Sequence, residues 1–231
     1  MRGITRGKIL IGILIVLIIG GLLSGQRIHD YYVKSQLDAA IELEETIKNM
    51  AAVNDYKYNI TSTFIVDGRK EVISQVEGEK SGDNTHIRGE MVNTPIDIYY
   101  YDGTIYNYDS YSEKWLVIES DTSNAEELLI SELNPLSNLK FKDLGNVEKL
   151  GFEGVDGKEC LVVKCTPSIE SQLLENLWKD FQYEIWIDYK KRYVKKATLN
   201  ATNINNEKTQ LEISLSFKDI GKKTNIKPPD N

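Results

Sequence analysis

Tyr56-Lys-Tyr-Asn-Ile-Thr-Ser-Thr-Phe-Ile-Val66 alternates and is rich in aromatic and β-branched residues, the composition of a strand with one buried face. Asp67-Gly68 follows, a two-residue hairpin signal, and Glu71-Val-Ile-Ser-Gln-Val-Glu-Gly-Glu79 is the return strand. The same syntax repeats outward. Ser81-Gly-Asp-Asn turns the chain again, and Thr85 to Val92 reads as a third strand. Ile96-Asp-Ile-Tyr-Tyr-Tyr101, Asp102-Gly103 and Thr104-Ile-Tyr-Asn-Tyr108 make another hairpin, and Lys114 to Glu119 closes a meander of about six antiparallel strands.

After this meander a helix is expected over 123–133, opened by the capping box Ser123-Asn-Ala-Glu126 and ended by Pro135. Strands resume near Val147 to Phe152 and at Lys158 to Thr166, joined by Gly154-Val-Asp-Gly157. A second helix is expected near 168–181, just after Pro167, with Leu173, Leu174, Leu177, Trp178 and Phe181 as its apolar stripe. Tyr183 to Asp188, Val194 to Thr202 and Gln210 to Phe217 read as antiparallel strands. Ahead of the meander, 28–52 reads as one amphipathic helix, with Val33, Leu37, Ala40, Leu43, Ile47 and Met50 at near-helical spacing and Lys34, Asp38, Glu42, Glu45 and Lys48 between them. The pattern predicts an α+β fold, a curved antiparallel half-barrel sheet with helices on its concave face.

The first 25 residues say where that domain works. Arg2, Arg6 and Lys8 precede an uncharged run from Ile9 to Gly25. Cations on the amino-terminal side of an apolar run keep that end cytoplasmic. As a helix, 9–25 would span roughly 25 Å at about 1.5 Å per residue, at the low edge of what crosses a bilayer. The exit Leu22-Leu-Ser-Gly-Gln26 puts Leu23 where signal cleavage wants a small residue. It also puts Gln26 where a lipobox needs its cysteine, so no thiol is there to carry a thioether lipid. A retained signal-anchor is expected in preference to cleavage. The resulting organisation is a basic cytoplasmic stub 1–8, an N-terminal membrane helix 9–25, the helix within 26–52 starting an extracytoplasmic domain, and the half-barrel over 53–231.

Charge and chemistry narrow the function. The outer part holds all thirty-five acidic residues against twenty-five cations, a formal charge of −10. Such a surface gains nothing from phosphate backbones, which disfavours nucleic acid, and it would not hug an anionic membrane face. Cys160 and Cys165 are the two cysteines. On one strand their odd separation puts the side chains on opposite faces, so two buried thiols are expected, and a bridge would need a bulge or a strand end. With no Cys-x-x-Cys and only His29 and His86 as histidines, no metal or other cofactor is implied. There is no Gly-x-Ser-x-Gly elbow, Gly-rich phosphate loop or calcium loop, and neither histidine has an evident nucleophile partner. A non-enzyme is expected. The binding signal is aromatic: Tyr99, Tyr100, Tyr101, Tyr106, Tyr108, Tyr111 and Trp115 fall within seventeen residues. Such rings suit either an amphipathic cavity wall or ordinary cross-strand pairing.

Three stretches resemble a known superfamily: Tyr101-Asp-Gly-Thr-Ile-Tyr-Asn-Tyr108 with Trp115, Gly154-Val-Asp-Gly-Lys-Glu-Cys-Leu-Val-Val163, and Tyr183-Glu-Ile-Trp-Ile-Asp188 followed by Lys190, Lys191 and Arg192. The closing Phe217-Lys-Asp-Ile-Gly and Ile226-Lys-Pro-Pro also fit. Over about 30–229 the chain resembles the lipoprotein carriers, which include the LolA and LolB proteins, the LppX and LprG group, and RseB. The missing lipobox cysteine departs from lipidated members. The resemblance implies a half-barrel around an apolar cavity plugged by helices. It also implies a lipid or lipid-linked ligand, with Tyr100, Tyr106, Tyr108, Trp115, Leu174, Trp178, Phe181 and Trp186 as candidate wall or lid residues. The other role the fold serves in this superfamily is protein interaction and envelope sensing, which would need a membrane-protein partner.

Overall fold

The computed structural model describes residues 28–119 and 134–229. The expected membrane segment 9–25, the stub before it and the expected helix 123–133 lie outside these residues. No helix among the described residues is long and apolar enough to cross a membrane.

The chain divides into two compact units after Asp38. In the first, helix α1 spans 28–36. It is tied by a Lys34–Asp30 ion pair of 2.5 Å. The expected single helix over 28–52 is broken at 37–38, and the cause is local. The Ser35 hydroxyl donates to the Tyr32 carbonyl, and the Leu37 N–H turns back to Lys34, three residues away instead of four. Both bonds divert the backbone from the α-ladder.

The second unit opens with helix α2, Ala39–Ala51. Thirteen strands follow among the described residues. The meander is β1 (Asp55–Val66), β2 (Arg69–Ser81), β3 (Asn84–Met91), β4 (Thr94–Tyr101), β5 (Thr104–Asp109) and β6 (Lys114–Glu119). Its hairpins are tight. Asp67-Gly68 and Asp102-Gly103 both sit at positive φ, the backbone that a two-residue turn between right-twisted strands requires. A 3-10 helix, Pro135–Leu139, comes next, capped by the Asn134 carboxamide oxygen, which accepts from the Leu136 N–H at 3.0 Å. Pro135 thus opens a turn of helix, its fixed φ suiting a first position.

The second half contains β7 (Phe141–Asp143), β8 (Val147–Val155), β9 (Lys158–Cys165), β10 (Ser168–Ile169), helix α3 (Gln172–Leu177), β11 (Trp178–Asp188), β12 (Tyr193–Asn203) and β13 (Thr209–Lys218). The expected helix over 168–181 is corrected here. Ser168 and Ile169 pair with β7 in a small ribbon. Ser171 caps a helix of only six residues. Trp178 is already extended and opposite Asn203. The apolar run was helical in spacing, but its last third gains more as a strand. There Trp178 is 6% exposed and its ring packs 5.4 Å from Phe64.

Eleven strands form one antiparallel sheet in the order β6-β5-β4-β3-β2-β1-β13-β12-β11-β9-β8. The sheet is curved and its end strands do not pair, so the barrel stays unclosed. Pairing of the first strand with the last, Tyr58 opposite Phe217 and Ile60 opposite Leu215, joins the two halves. One face, called inner below, carries the core: Tyr56, Tyr58, Ile60, Leu161, Val163, Cys165, Tyr183, Ile185, Ile187, Ala197, Leu199, Leu215 and Phe217 are all buried. Helix α2 lies over β12 and β8 and meets the 3-10 helix, which in turn packs on β1. Its buried stripe is Glu42, Leu43, Thr46 and Met50, with Ala40 exposed, so the helix is rotated from the purely apolar stripe of the sequence. Arg192 explains the rotation. Its guanidinium donates to both oxygens of Glu42, at 3.1 and 3.2 Å, and also to Glu45.

Candidate ligand-binding site

Strand alternation divides the candidate residues between two faces. His86, Tyr99, Tyr106, Tyr108 and Trp115 share the outer face, in the registers His86–Tyr99, Tyr99–Tyr106 and Tyr108–Trp115. Their rings form a connected ladder. His86 stacks on Tyr99 at 3.8 Å between centroids, Trp115 lies 5.5 Å from Tyr99, and Tyr108 lies 5.1 Å from Trp115. The His86 ring is engaged on its edge as well, with Nε2 2.7 Å from the Asp97 carboxylate.

Trp186 is also on the outer face, opposite Val162 and Lys196 and away from the tyrosine ladder. It is 7% exposed and packs with Cys160 and Val162. Its indole N–H donates to Glu153 at 2.8 Å, and the Lys196 ammonium caps the ring at 4.3 Å. Between these clusters the outer face is polar. A groove of about 810 Å³ runs over β1 to β3, lined by Asn59, Gln75, Glu77, Arg88 and Ser216 among others. Acid and base alternate along it, so it suits neither an apolar ligand nor a polyion.

Tyr100 lies on the inner face, in register with Thr85 and Ile105. Trp178 is on the inner face near Phe64, and Phe181 and Leu174 are half-buried near the β10–α3–β11 corner. The eight candidates therefore do not form one wall. Tyr106, Tyr108 and Trp115 stand together, while Tyr100, Trp178 and Trp186 stand apart from them.

The inner face has a feature that the sequence reading missed. Three of its tyrosines are buried: Tyr56, Tyr58 and Tyr183. The Tyr56 hydroxyl donates to the Asn134 side chain at 3.2 Å, and that of Tyr183 donates to the Asn138 carbonyl at 2.9 Å. Both are thus tied to the 3-10 segment. The Tyr58 hydroxyl is fully enclosed and has no hydrogen-bond partner. Its ring lies flat over Gly78, its cross-strand partner, so closely that a Cβ there would come within 2.3 Å of Cζ. A glycine inside β2 opposite an aromatic was the signal available in the sequence. Beyond Gly78, Ile87 and Ile98 continue the row, with Val76 and Ile105 beside it, and all four are at most 3% exposed. No described helix packs on β2–β6 as α2 packs on β12 and β8.

Reactive chemistry is poor. Cys160 and Cys165 are free and buried. Burial pushes their thiols up to about 11 and about 12, away from the thiolate a nucleophile needs. Among the described residues no group of three or more His, Cys, Asp or Glu side chains is placed to hold a metal ion. These features describe an open half-barrel with an apolar helix-bearing face and a polar aromatic outer face.

No protein-family model matches the chain, and no curated protein sequence does. Solved structures do. LprF from Mycobacterium bovis superposes with a TM-score of 0.54 at 12% identity, covering 84% of this chain and 97% of that one. The lipoprotein LppX from Mycobacterium tuberculosis gives 0.53 at 13% identity, covering 82% and 98%. A LolA superfamily protein from Nitrosomonas europaea covers 83% and 96% at 10% identity with a looser TM-score of 0.35. The fold is that of LprF and LppX, and the resemblance seen in the motifs is one of architecture.

Proposed function

We propose that the half-barrel binds a hydrophobic ligand, a lipid or lipid-linked molecule, on the inner face of β1–β5 and does no covalent chemistry. The observation that carries this reading is the reach of the apolar layer on that face past the described helices, with Val76, Ile87, Ile98 and Ile105 each at most 3% exposed. α2 and the 3-10 helix lie on one half of the sheet, while Val76, Ile87, Ile98 and Ile105 extend the same apolar surface beyond them. Burying acyl chain against such a surface gains roughly 0.8 kcal/mol per methylene. Buried thiols and an engaged His86 favour a binder over an enzyme. We further propose that 9–25 holds the domain at the outer side of the membrane. An anchored domain hands lipid over locally and does not ferry it across a wide compartment.

Native mass spectrometry of the full chain, released from detergent before and after organic extraction, tests this. Extra mass of lipid size that leaves with solvent is the expected result. A chain that never carries lipid rejects the reading in favour of a protein-interaction module. Its docking strip would then be edge strand β6, where Leu116 and Val117 are 47% and 49% exposed.

A further inference from the structure

We infer that the outer face of the meander is a separate binding site, for a neutral glycan of β-linked pyranose units. The inference does not depend on lipid binding at the inner face. Two hollows meet on this outer face. The groove of about 810 Å³ over β1 to β3 shares Asn59, Glu77 and Arg88 with a smaller one of about 280 Å³, which also touches Lys57, Glu79 and His86. His86 is the first ring of the aromatic ladder as well, so the polar hollows run into the aromatic rungs without a break. The charges here are paired. Arg88 donates to Glu77 at 2.5 Å, Lys57 lies 3.3 Å from Glu79, and the His86 ring holds the Asp97 carboxylate at 2.7 Å. Paired charges exert little net pull on an ion of either sign, yet they leave a surface dense in donors and acceptors. Arg88 bonds through Nε alone, and its two terminal nitrogens have no partner among the described residues. β1, β2 and β3 are each paired on both sides, so no backbone edge is open to an extended peptide, and recognition here falls to side chains. A sugar meets those terms. Its hydroxyls exchange hydrogen bonds with ionised side chains, which are stronger than bonds between neutral groups. A β-linked pyranose carries its substituents around the rim and leaves both ring faces as C–H surface, which packs on aromatic rings. Tyr99, Tyr108 and Trp115 are half-buried, so each keeps part of its surface open to such a ring.

Titration calorimetry of the full chain with cellohexaose and with chitohexaose tests this, in a polyoxyethylene detergent, which carries no sugar headgroup. The wild type is expected to bind at least one of the two with a Kd of about 0.1 to 1 mM, the range of a shallow polar site. Arg88→Ala removes the donor shared by both hollows, and Trp115→Ala removes a rung of the ladder. Each is expected to weaken binding about tenfold. The Arg88 side chain is 62% exposed and its ion pair lies at the surface, so Arg88→Ala leaves the core intact and keeps the test decisive if Trp115→Ala fails to fold. Thermal unfolding identifies that failure. No heat of binding with either oligosaccharide up to about 10 mM overturns the inference, and the outer rings are then cross-strand packing alone. An affinity left unchanged in Arg88→Ala, or in a folded Trp115→Ala, overturns it too, because the sugar is then held elsewhere. Lipid occupancy in native mass spectrometry is read independently, so either reading can fail while the other stands.

Discussion

At the residue scale, two glycines and two thiols carry separable predictions. Gly78 and Gly68 lie on the same strand pair but are glycine for different reasons. Gly68 sits at φ +79° with open space around it, so Gly68→Ala costs only backbone strain, about 1 kcal/mol. Gly78 has ordinary strand backbone, but a methyl there meets the Tyr58 ring at 2.3 Å in a buried layer. Gly78→Ala is expected to cost about 2 kcal/mol or more by overpacking. Denaturant melts of the two variants decide this, and a Gly78→Ala cost no larger than that of Gly68→Ala would show that the ring has room to move. The thiols bear on pH. Their folded pKa values, about 11 and about 12, are raised by burial above the ordinary 9.0. Between those limits the unfolded chain loses a proton that the folded chain keeps, so the thiols' contribution to stability falls as pH rises above about 9. Below that pH it is constant. Melting temperatures of the wild type and a Cys160→Ser, Cys165→Ser double variant, measured from pH 7 to 11, are expected to show a shallower alkaline decline for the variant.

At the element scale, helix position is set by an ion pair and a turn, beyond what helix amphipathicity alone specifies. Asp188, at the end of β11, accepts from the N–H groups of Lys190 and Lys191 at 3.2 Å. The turn it shapes sets Arg192 at φ +54° against α2. Glu42 is 5% exposed, so its carboxylate depends on that guanidinium. Arg192→Met is expected to lower stability by about 2 kcal/mol by leaving a buried acid unpaired. Glu45→Gln, at a partner far more exposed, should change stability by less than about 0.5 kcal/mol. Chemical denaturation separates the two, and equal effects would mean that Glu42 is not the dependent partner. The 168–181 segment teaches the complementary lesson. Its helical period was real, but six residues of helix supply few hydrogen bonds, and strand pairing with burial of Trp178 outweighs them.

At the scale of the whole molecule, the sheet depends on one non-local seam. β1 and β13 pair over ten residue pairs, from Lys57–Lys218 to Val66–Thr209. Each half is built of sequential hairpins or near-neighbours, but only this seam makes one inner face of them. A chain ending at residue 203 is therefore expected to lose cooperative unfolding altogether, not merely some stability. Circular dichroism through a thermal ramp reads this, and a sharp transition in the truncated chain would show that the meander folds by itself. Folding of the full chain should be slow for its size, because that seam closes a long loop. The sequence by itself determined the strand segments and their tight turns, because alternation and Asp-Gly chemistry act over a few residues. Tyr56 to Val66 and its Asp67-Gly68 turn could be read without any partner in view. Only the tertiary structure decided which strand faces the helices, how Glu42 comes to be buried, and which tyrosine is left unpaired. Those outcomes depend on register between strands about 150 residues apart, and the chain itself carries no local mark of it.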